Sequence, residues 1–396
     1  MQRLIEFALC GSYSHECDPY AVTGDMVTQK ILSAINSEPL PLRKISTEIS
    51  LTEQEVIQRL KALERCRLVK ETKKAGKLYY RPSFAIFSLR DQKKLQPLIE
   101  KLSRSLVGIA EDFLPKIKEE LTKVRCVEQG YHFPDLIYIA IGAYAFDYGG
   151  LEVFKKEGLL TVTKEMPGGN YVFSGIEVGL VDLRKSWMWG HNGKYGKYTF
   201  STHGKLPPKR SRRAFPDLGF VWTYYAENEE ERKSIEQKII HYGDLLYELL
   251  KGPVTFDHLT KALNRRKVEL ILDLTFLEEL EYVTSTIEQD KRKYALNRPA
   301  LLLEDYKRIH KLSRGMLMQF LNRSLKARYG ELESSYKETS PAKNGIDMQE
   351  AFNPIYHNIF EKALDKLITS KAIAAPPLRR DGGRYSPWVA IERAPN

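Results

Sequence analysis

The chain has 396 residues, 62 of them Lys or Arg against 51 Asp or Glu, for a formal net charge of +11. That length predicts two or three domains, each with its own core, and the basic balance favours an anionic partner, nucleic acid before a membrane surface. Four cysteines exclude a disulfide framework, no apolar stretch is long enough to span a bilayer, and the first residues lack a secretory pattern, so a cytoplasmic protein is expected.

In chain order, residues 20–90 read as the first domain. Val27, Ile31, Leu32 and Ile35 recur at helical spacing, and Pro39 and Pro41 then break the chain before a short helix carrying Ile45 and Ile49. Thr52 caps a third helix, with Glu53 and Glu55 in its first turn and Val56, Leu60 and Leu63 on its inner face. Leu68-Val69-Lys70-Glu71-Thr72 and Leu78-Tyr79-Tyr80, joined through Lys73, Lys74, Gly76 and Lys77, predict a β-hairpin. Three helices and a hairpin in this order describe a winged helix, whose third helix is held out to enter a major groove. The pattern returns at an offset of 214: Leu245, Leu246, Leu249, Pro253, Leu259, Leu263, Leu270, Ile271, Leu274, Leu277, Val283 and Tyr294 answer to residues of the first copy. Residues 235–298 are therefore a second winged helix.

From Gly24-Asp25 through the hairpin Gly76 to Tyr80, the first copy is similar to the winged-helix domain of ArsR-type transcriptional regulators. The resemblance covers residues 20–85 well and 238–298 more weakly. It implies a DNA-binding regulator, commonly dimeric, with the third helix in the groove. Where metal-sensing members carry paired cysteines, this chain has Leu42-Arg43-Lys44-Ile45-Ser46, so metal sensing does not transfer. Ile57 stands where a small polar residue is usual.

The two copies differ on their outer faces. Thr52, Gln54, Gln58, Arg59 and Lys61 in copy one suit base edges and phosphates, with Lys73, Lys74 and Lys77 placed for backbone contacts. From Arg59 to Arg81 there are nine Lys or Arg and two Glu. A solvated charged face is the competing reading. In copy two the matching helix offers Val268, Leu272, Asp273, Thr275 and Phe276, a face expected to pack on protein. Only Arg265-Arg266-Lys267 and Lys291-Arg292-Lys293 are left there for phosphates.

Long helices follow each copy, at 91–124 and 299–333, both containing Lys-Leu-Ser-Arg (Lys101-Leu102-Ser103-Arg104 and Lys311-Leu312-Ser313-Arg314). In the resembled family such helices pair between subunits, which suggests an internal pseudo-dimer, and the chain is also a candidate homodimer. Residues 125–228 predict an inserted α/β domain: a buried strand at 136–141, a helix at 151–158, a turn at Pro167-Gly168-Gly169-Asn170 and an extended segment at 171–183. Between Arg184 and Arg213 lie nine Lys or Arg and no Asp or Glu. Trp187, Trp189 and His191, with the arm Lys209, Arg210, Arg212 and Arg213, are candidates for nucleic acid or a small anionic effector. A hairpin with core aromatics and a basic loop explains the same residues.

Cys10, His15 and Cys17 match no zinc spacing, Gly149-Gly150 and Gly168-Gly169 match no nucleotide fingerprint, and no nucleophile accompanies His191 or His203. No metal, cofactor or enzymatic activity is expected. Residues 334–396 read as a linker, an amphipathic helix with Ile355, Ile359, Ala363 and Leu367 on one face, and a loose tail. The expected fold is α+β: two winged helices, long pairing helices and an inserted α/β domain. The expected function is a transcriptional regulator that binds double-stranded DNA mainly through copy one. A replication initiator or architectural DNA-binding protein, and a protein-interaction scaffold, fit the same features.

Overall fold

The computed structural model describes residues 4–131, 133–178, 189–205, 218, 226, 228–380 and 382–392. Strand β1 (Ile5–Tyr13) leads through α1 (Pro19–Thr23) into α2 (Met26–Ser37), α3 (Leu42–Ile49) and α4 (Glu53–Arg65). Each of these helix starts has a local cause. Asp25 accepts from the backbone N–H of Val27 and Thr28 at 3.0 Å, which satisfies two donors at the head of α2. Pro41, extended and lacking an N–H, precedes α3. Thr52 and Glu55 form a reciprocal capping box on α4. The hairpin of β2 (Val69–Lys74) and β3 (Lys77–Pro82) comes next, then β4 (Ala85–Phe87) and the long α5 (Leu89–Leu121).

Helices α6 (Arg125–Glu128) and α7 (Phe133–Tyr138) run into a π-helical segment, Ile139–Gly149, and on into α8 (Gly150–Lys156). Strands β5 (Glu165–Met166), β6 (Gly169–Glu177), β7 (Trp189–Tyr195) and β8 (Tyr198–Lys205) follow. The three-helix order then returns as α9 (Glu229–Leu249), β9 (Val254–Thr255), α10 (Phe256–Leu263) and α11 (Lys267–Glu279). A hairpin of β10 (Val283–Glu288) and β11 (Lys291–Leu296), β12 (Ala300–Leu302) and α12 (Leu303–Phe320) complete it. Past a π-helical turn, Leu321–Leu325, come α13 (Lys326–Lys337), α14 (Ser340–Lys343), α15 (Met348–Thr369) and β13 (Arg384–Ile391). The described residues are thus a mixture of many helices and small sheets.

The duplication is visible in the backbone itself. Ser50 and Asn264 both adopt left-handed conformations, as do Arg67 and Glu281, Ala75 and Gln289, and Gly76 and Asp290. Non-glycine residues occupy that region at a cost, so its recurrence at four positions 214 apart marks one structural unit used twice. The repeat also extends beyond the three-helix module. Gly130 and Gly345 share positive φ, as do Gly158 and Lys371. Gly168-Gly169, Tyr171 and Ile176-Glu177 answer to Gly382-Gly383, Tyr385 and Ile391-Glu392. Strand β6 pairs antiparallel with β1 and parallel with β4; β13 pairs antiparallel with β8 and parallel with β12. Gly11 lies opposite Tyr171 and Gly204 opposite Tyr385. In each glycine a Cβ would fall 2.3 Å from a neighbouring carbonyl oxygen, and φ is +124° and +147°, so no other residue fits.

Two compact units emerge, and each draws on both halves of the sequence. Unit 1 comprises residues 1–106, 150–184 and 318–363; unit 2 comprises 107–149, 185–317 and 364–396. The helical arm of the first repeat therefore belongs to unit 2, and the arm of the second repeat to unit 1. Within unit 1 the long helices run antiparallel, Lys94 pairing with Glu338 and Ser105 Oγ lying 2.7 Å from Ser324 Oγ. In the same unit Phe173 contacts Phe7 and Phe84, with ring centroids 5.2 and 5.0 Å apart, above the buried Ile31, Leu32, Val56, Leu60 and Leu63. Each fully buried aromatic or aliphatic side chain here stabilises by about 2 kcal/mol. In unit 2 the wholly buried Trp388 donates its Nε1–H to the Tyr144 hydroxyl at 2.9 Å.

Three sequence expectations are corrected. Residues 125–228 do not form an inserted α/β domain, because their helices and strands are shared between the two units. Residues 136–141 are helical, not a strand; the run is buried on every side, and a continuous apolar run carries no period to tell the two apart. The loose tail is a central strand, β13, held between β12 and β8 and anchored by Trp388. The cysteines also differ from expectation. Cys17 and Cys66 form a disulfide with a Cα–Cα separation of 5.6 Å, while Cys10 and Cys126 take no part in a disulfide. Forty-nine residues separate the partners, so spacing gives no sign of the pair.

Candidate nucleic-acid interface

Helix α4 is positioned by what surrounds it. Left-handed Ser50 ends α3 by donating its N–H toward Thr47 and Ser46 carbonyls, and the capping box starts α4 two residues later. The buried Val56, Leu60 and Leu63 fix which face turns inward. Gln54, Gln58, Lys61 and Arg65, at helical spacing on the opposite face, are exposed. The hairpin turn places both Ala75 and Gly76 at positive φ, the two-residue geometry that matches strand twist. Lys74 faces Lys77 and Lys73 faces Leu78 across it; all three lysines are exposed. An amide-bearing helix face and a cationic hairpin tip are thus available to a polyanion.

Two of the expected contact residues have other partners. The Thr52 hydroxyl lies 2.6 Å from Glu55 Oε2 and accepts from the Glu55 N–H at 3.3 Å. Donation by the Thr52 hydroxyl, and by the Thr52 N–H at 2.9 Å, holds the Glu55 carboxyl below the usual carboxylate range, so the head of α4 is anionic. Arg59 pairs with Asp25 at 2.7 Å, tying α4 to the cap of α2. Base contact by Arg59 requires that this pair open.

The second module carries the same backbone with different chemistry. Val268, Ile271 and Leu272 on α11 are 71, 51 and 64% exposed, and Ile287 on β10 is 78% exposed. No part of the described chain covers them, so the protein packing expected of this face is not met within the described residues. Asp273 is not on that face: it is 1% exposed and bonded to Arg265 Nη1 at 2.5 Å and to Lys238. The two cations draw the carboxylate inward. Phe276 is half-buried, stacked on Tyr242 with centroids 5.4 Å apart. Several expected phosphate ligands of this module are paired internally, Arg266 to Glu269 and Arg292 to Glu278.

No protein-family model matches the chain, and no curated protein matches it.

Of the aromatic and basic candidates between the repeats, Trp187, Lys209, Arg210, Arg212 and Arg213 lie outside the described residues, as does the side chain of Trp189. His191 sits on β7, where its carbonyl accepts from the Tyr148 hydroxyl at 3.2 Å. The structure gives His203 partners that sequence reading did not assign. His203 Nε2 lies 3.6 Å from Asp147 Oδ2, and His203 Nδ1 lies 3.0 Å from the Tyr138 hydroxyl. All three are buried. Burial pushes the Asp147 carboxyl up to about 7, so this chain of groups can hold a proton near neutral pH. Asp147 comes from the π-helical segment and His203 from β8, too far apart in sequence for any local pattern to pair them. Among the described residues no group of three or more His, Cys, Asp or Glu could hold a metal ion, and no helix is long and apolar enough to cross a membrane.

Proposed function

We propose that the chain is a double-stranded-DNA-binding transcriptional regulator in which each module is a winged helix of ArsR-like type and the first reads the groove. The observation that carries this reading is the exposed stripe Gln54, Gln58, Lys61 and Arg65 flanked by Lys73, Lys74 and Lys77, where the helix of the duplicated second module has Val268, Leu272, Thr275 and Glu279. Glutamine side chains can bridge adenine edges, and the lysines neutralise phosphates without choosing sequence. Gln54, Gln58 and Lys61 then read bases, while Thr52 acts by capping and Arg59 by bracing α4 against α2.

Titration of a labelled duplex from the region upstream of the chain's own coding sequence, at several salt concentrations, tests this. Replacing Lys73, Lys74 and Lys77 together by Ala is expected to flatten the dependence of log affinity on log salt by about 3, roughly one unit for each phosphate no longer neutralised. Binding that is absent, or present with an unchanged salt slope in the triple variant, rejects the interface.

A further inference from the structure

Among the described residues seven large apolar side chains are exposed, and four of them, Val268, Ile271, Leu272 and Ile287, belong to the second module. Strand β10, which bears Ile287, packs against α11. On α11 the spacing of residues 268, 271, 272, 275 and 279 places Val268, Ile271, Leu272, Thr275 and Glu279 in one stripe. Its apolar part, Val268, Ile271 and Leu272, is 71, 51 and 64% exposed, and a contiguous bare apolar patch rimmed by polar residues marks an interaction surface. That face gains nothing against phosphates.

The charges at its two ends identify what covers it. The exposed Arg266 and Lys267 stand at the N-terminus of α11, and Glu278 and the exposed Glu279 at its C-terminus. This order opposes the helix dipole, which favours acids at the start and bases at the end. Glu269 moderates the first end by pairing with Arg266; Lys267 and Glu279 make no ion pair with another described residue. A second α11 laid antiparallel across the first removes the conflict. Lys267 of each copy then meets Glu279 of the other, Ile271 meets Thr275, and Leu272 lies beside the two-fold axis. Such a contact is self-complementary, as an isologous interface must be.

We propose that the outer face of α11 is the interface through which two copies of this chain form an antiparallel, two-fold dimer. A standard interface buries about 800 Å² per partner, so the apolar stripe forms its centre and the helix-end charges its rim. Where the first module reads DNA as proposed above, the dimer joins two such readers and selects paired half-sites. The dimer itself does not depend on that reading.

Sedimentation of the full chain without DNA separates the two claims. The expected result is a concentration-dependent shift from 45.7 kDa to twice that mass. Leu272→Asp is expected to weaken dimerisation at least tenfold with an unchanged thermal transition. Lys267→Glu and Glu279→Lys are each expected to weaken it, and the double variant to restore it, because only an antiparallel self-contact pairs these two positions. A chain that stays monomeric at the highest concentration reached overturns the proposal, as does a dimer that Leu272→Asp leaves intact. Loss of a different bound protein on Leu272→Asp, with no dimer in the wild type, assigns the face to that partner instead and also overturns it. Failure to bind DNA touches none of these outcomes.

Discussion

Helices α4 and α11 have the same length, begin 214 residues apart, and follow left-handed residues at equivalent positions, yet they present opposite surfaces. In α4 the outward stripe is Gln54, Gln58, Lys61 and Arg65, with Glu53 and Glu55 in the first turn and Arg65 in the last. In α11 the corresponding stripe is Val268, Leu272, Thr275 and Glu279, and the last turn is acidic. The inner faces, by contrast, are interchangeable: Val56, Leu60 and Leu63 answer to Leu270, Leu274 and Leu277, all buried. The fold is thus specified by the inner positions and tolerates either surface. The bracing ion pair is also inverted. In the first module the base is on the third helix and the acid caps α2, as Arg59 and Asp25. In the second the acid is on α11, as Asp273, and Lys238 on α9 supplies one of the two bases.

The largest expected effect tests that inversion. Asp273→Asn leaves Arg265, only 14% exposed, and Lys238 facing a neutral amide. Removing one member of a buried, hydrogen-bonded ion cluster costs about 3 kcal/mol. Thermal or urea unfolding should show that loss, while affinity for DNA stays within twofold. A variant as stable as the wild type would show that the cluster is incidental to the second module.

The next effect concerns the outward faces. Gln58→Leu installs in the first module the residue that Leu272 provides in the second. If Gln58 bridges a base, discrimination between the preferred duplex and a scrambled one should fall by about 2 kcal/mol, within the range of a bidentate contact. Stability should hardly change, since position 58 is exposed. Loss of binding to both duplexes alike would instead place Gln58 against the backbone.

How far sequence could go is shown by the same residues. The module boundaries were legible because apolar spacing, Pro41, Thr52 and the lysine-flanked turn each act locally, and the structure starts and stops its elements at them. The repeat beyond the modules was harder to see. The π-helical segment Ile139–Gly149 sits in the first arm only, so the offset drifts: Gly130 and Gly345 are 215 apart, Gly158 and Lys371 213. A search at constant offset loses the match there, although Gly168-Gly169 and Gly382-Gly383 could have restored it. The exchange of arms left no local trace, because the same apolar stripe on α5 serves either unit. Asp273 was misplaced for a related reason: helical spacing gives its angle but not the cations that draw it in. The Tyr138, His203 and Asp147 chain depends on a strand meeting a helix, which no window of sequence contains.

The smallest effect sharpens the comparison at the bracing pair of the first module. Burial alone would raise the Asp25 carboxyl, but bonds from the Thr28 hydroxyl and backbone, the nearby Arg59 and the Val27 N–H outweigh it and hold it below its ordinary value. A depressed carboxylate stabilises the folded state above its unfolded pKa, and that contribution disappears as pH falls through the lower folded value. Asp25→Asn keeps a competent helix cap, since Asn serves as well as Asp there, and removes the charge together with the oxygen that accepts from the Thr28 hydroxyl and pairs with Arg59. The pair with Arg59 is more than a third exposed on both sides, so the stability difference at neutral pH should be within about 1 kcal/mol. It should shrink toward zero as the pH drops below about 4. The same substitution releases Arg59 on the face beside Gln58. If α4 lies in a groove, the variant should bind duplex slightly more tightly than the wild type at neutral pH. Weaker binding would mean that holding α4 against α2 matters more than a free guanidinium.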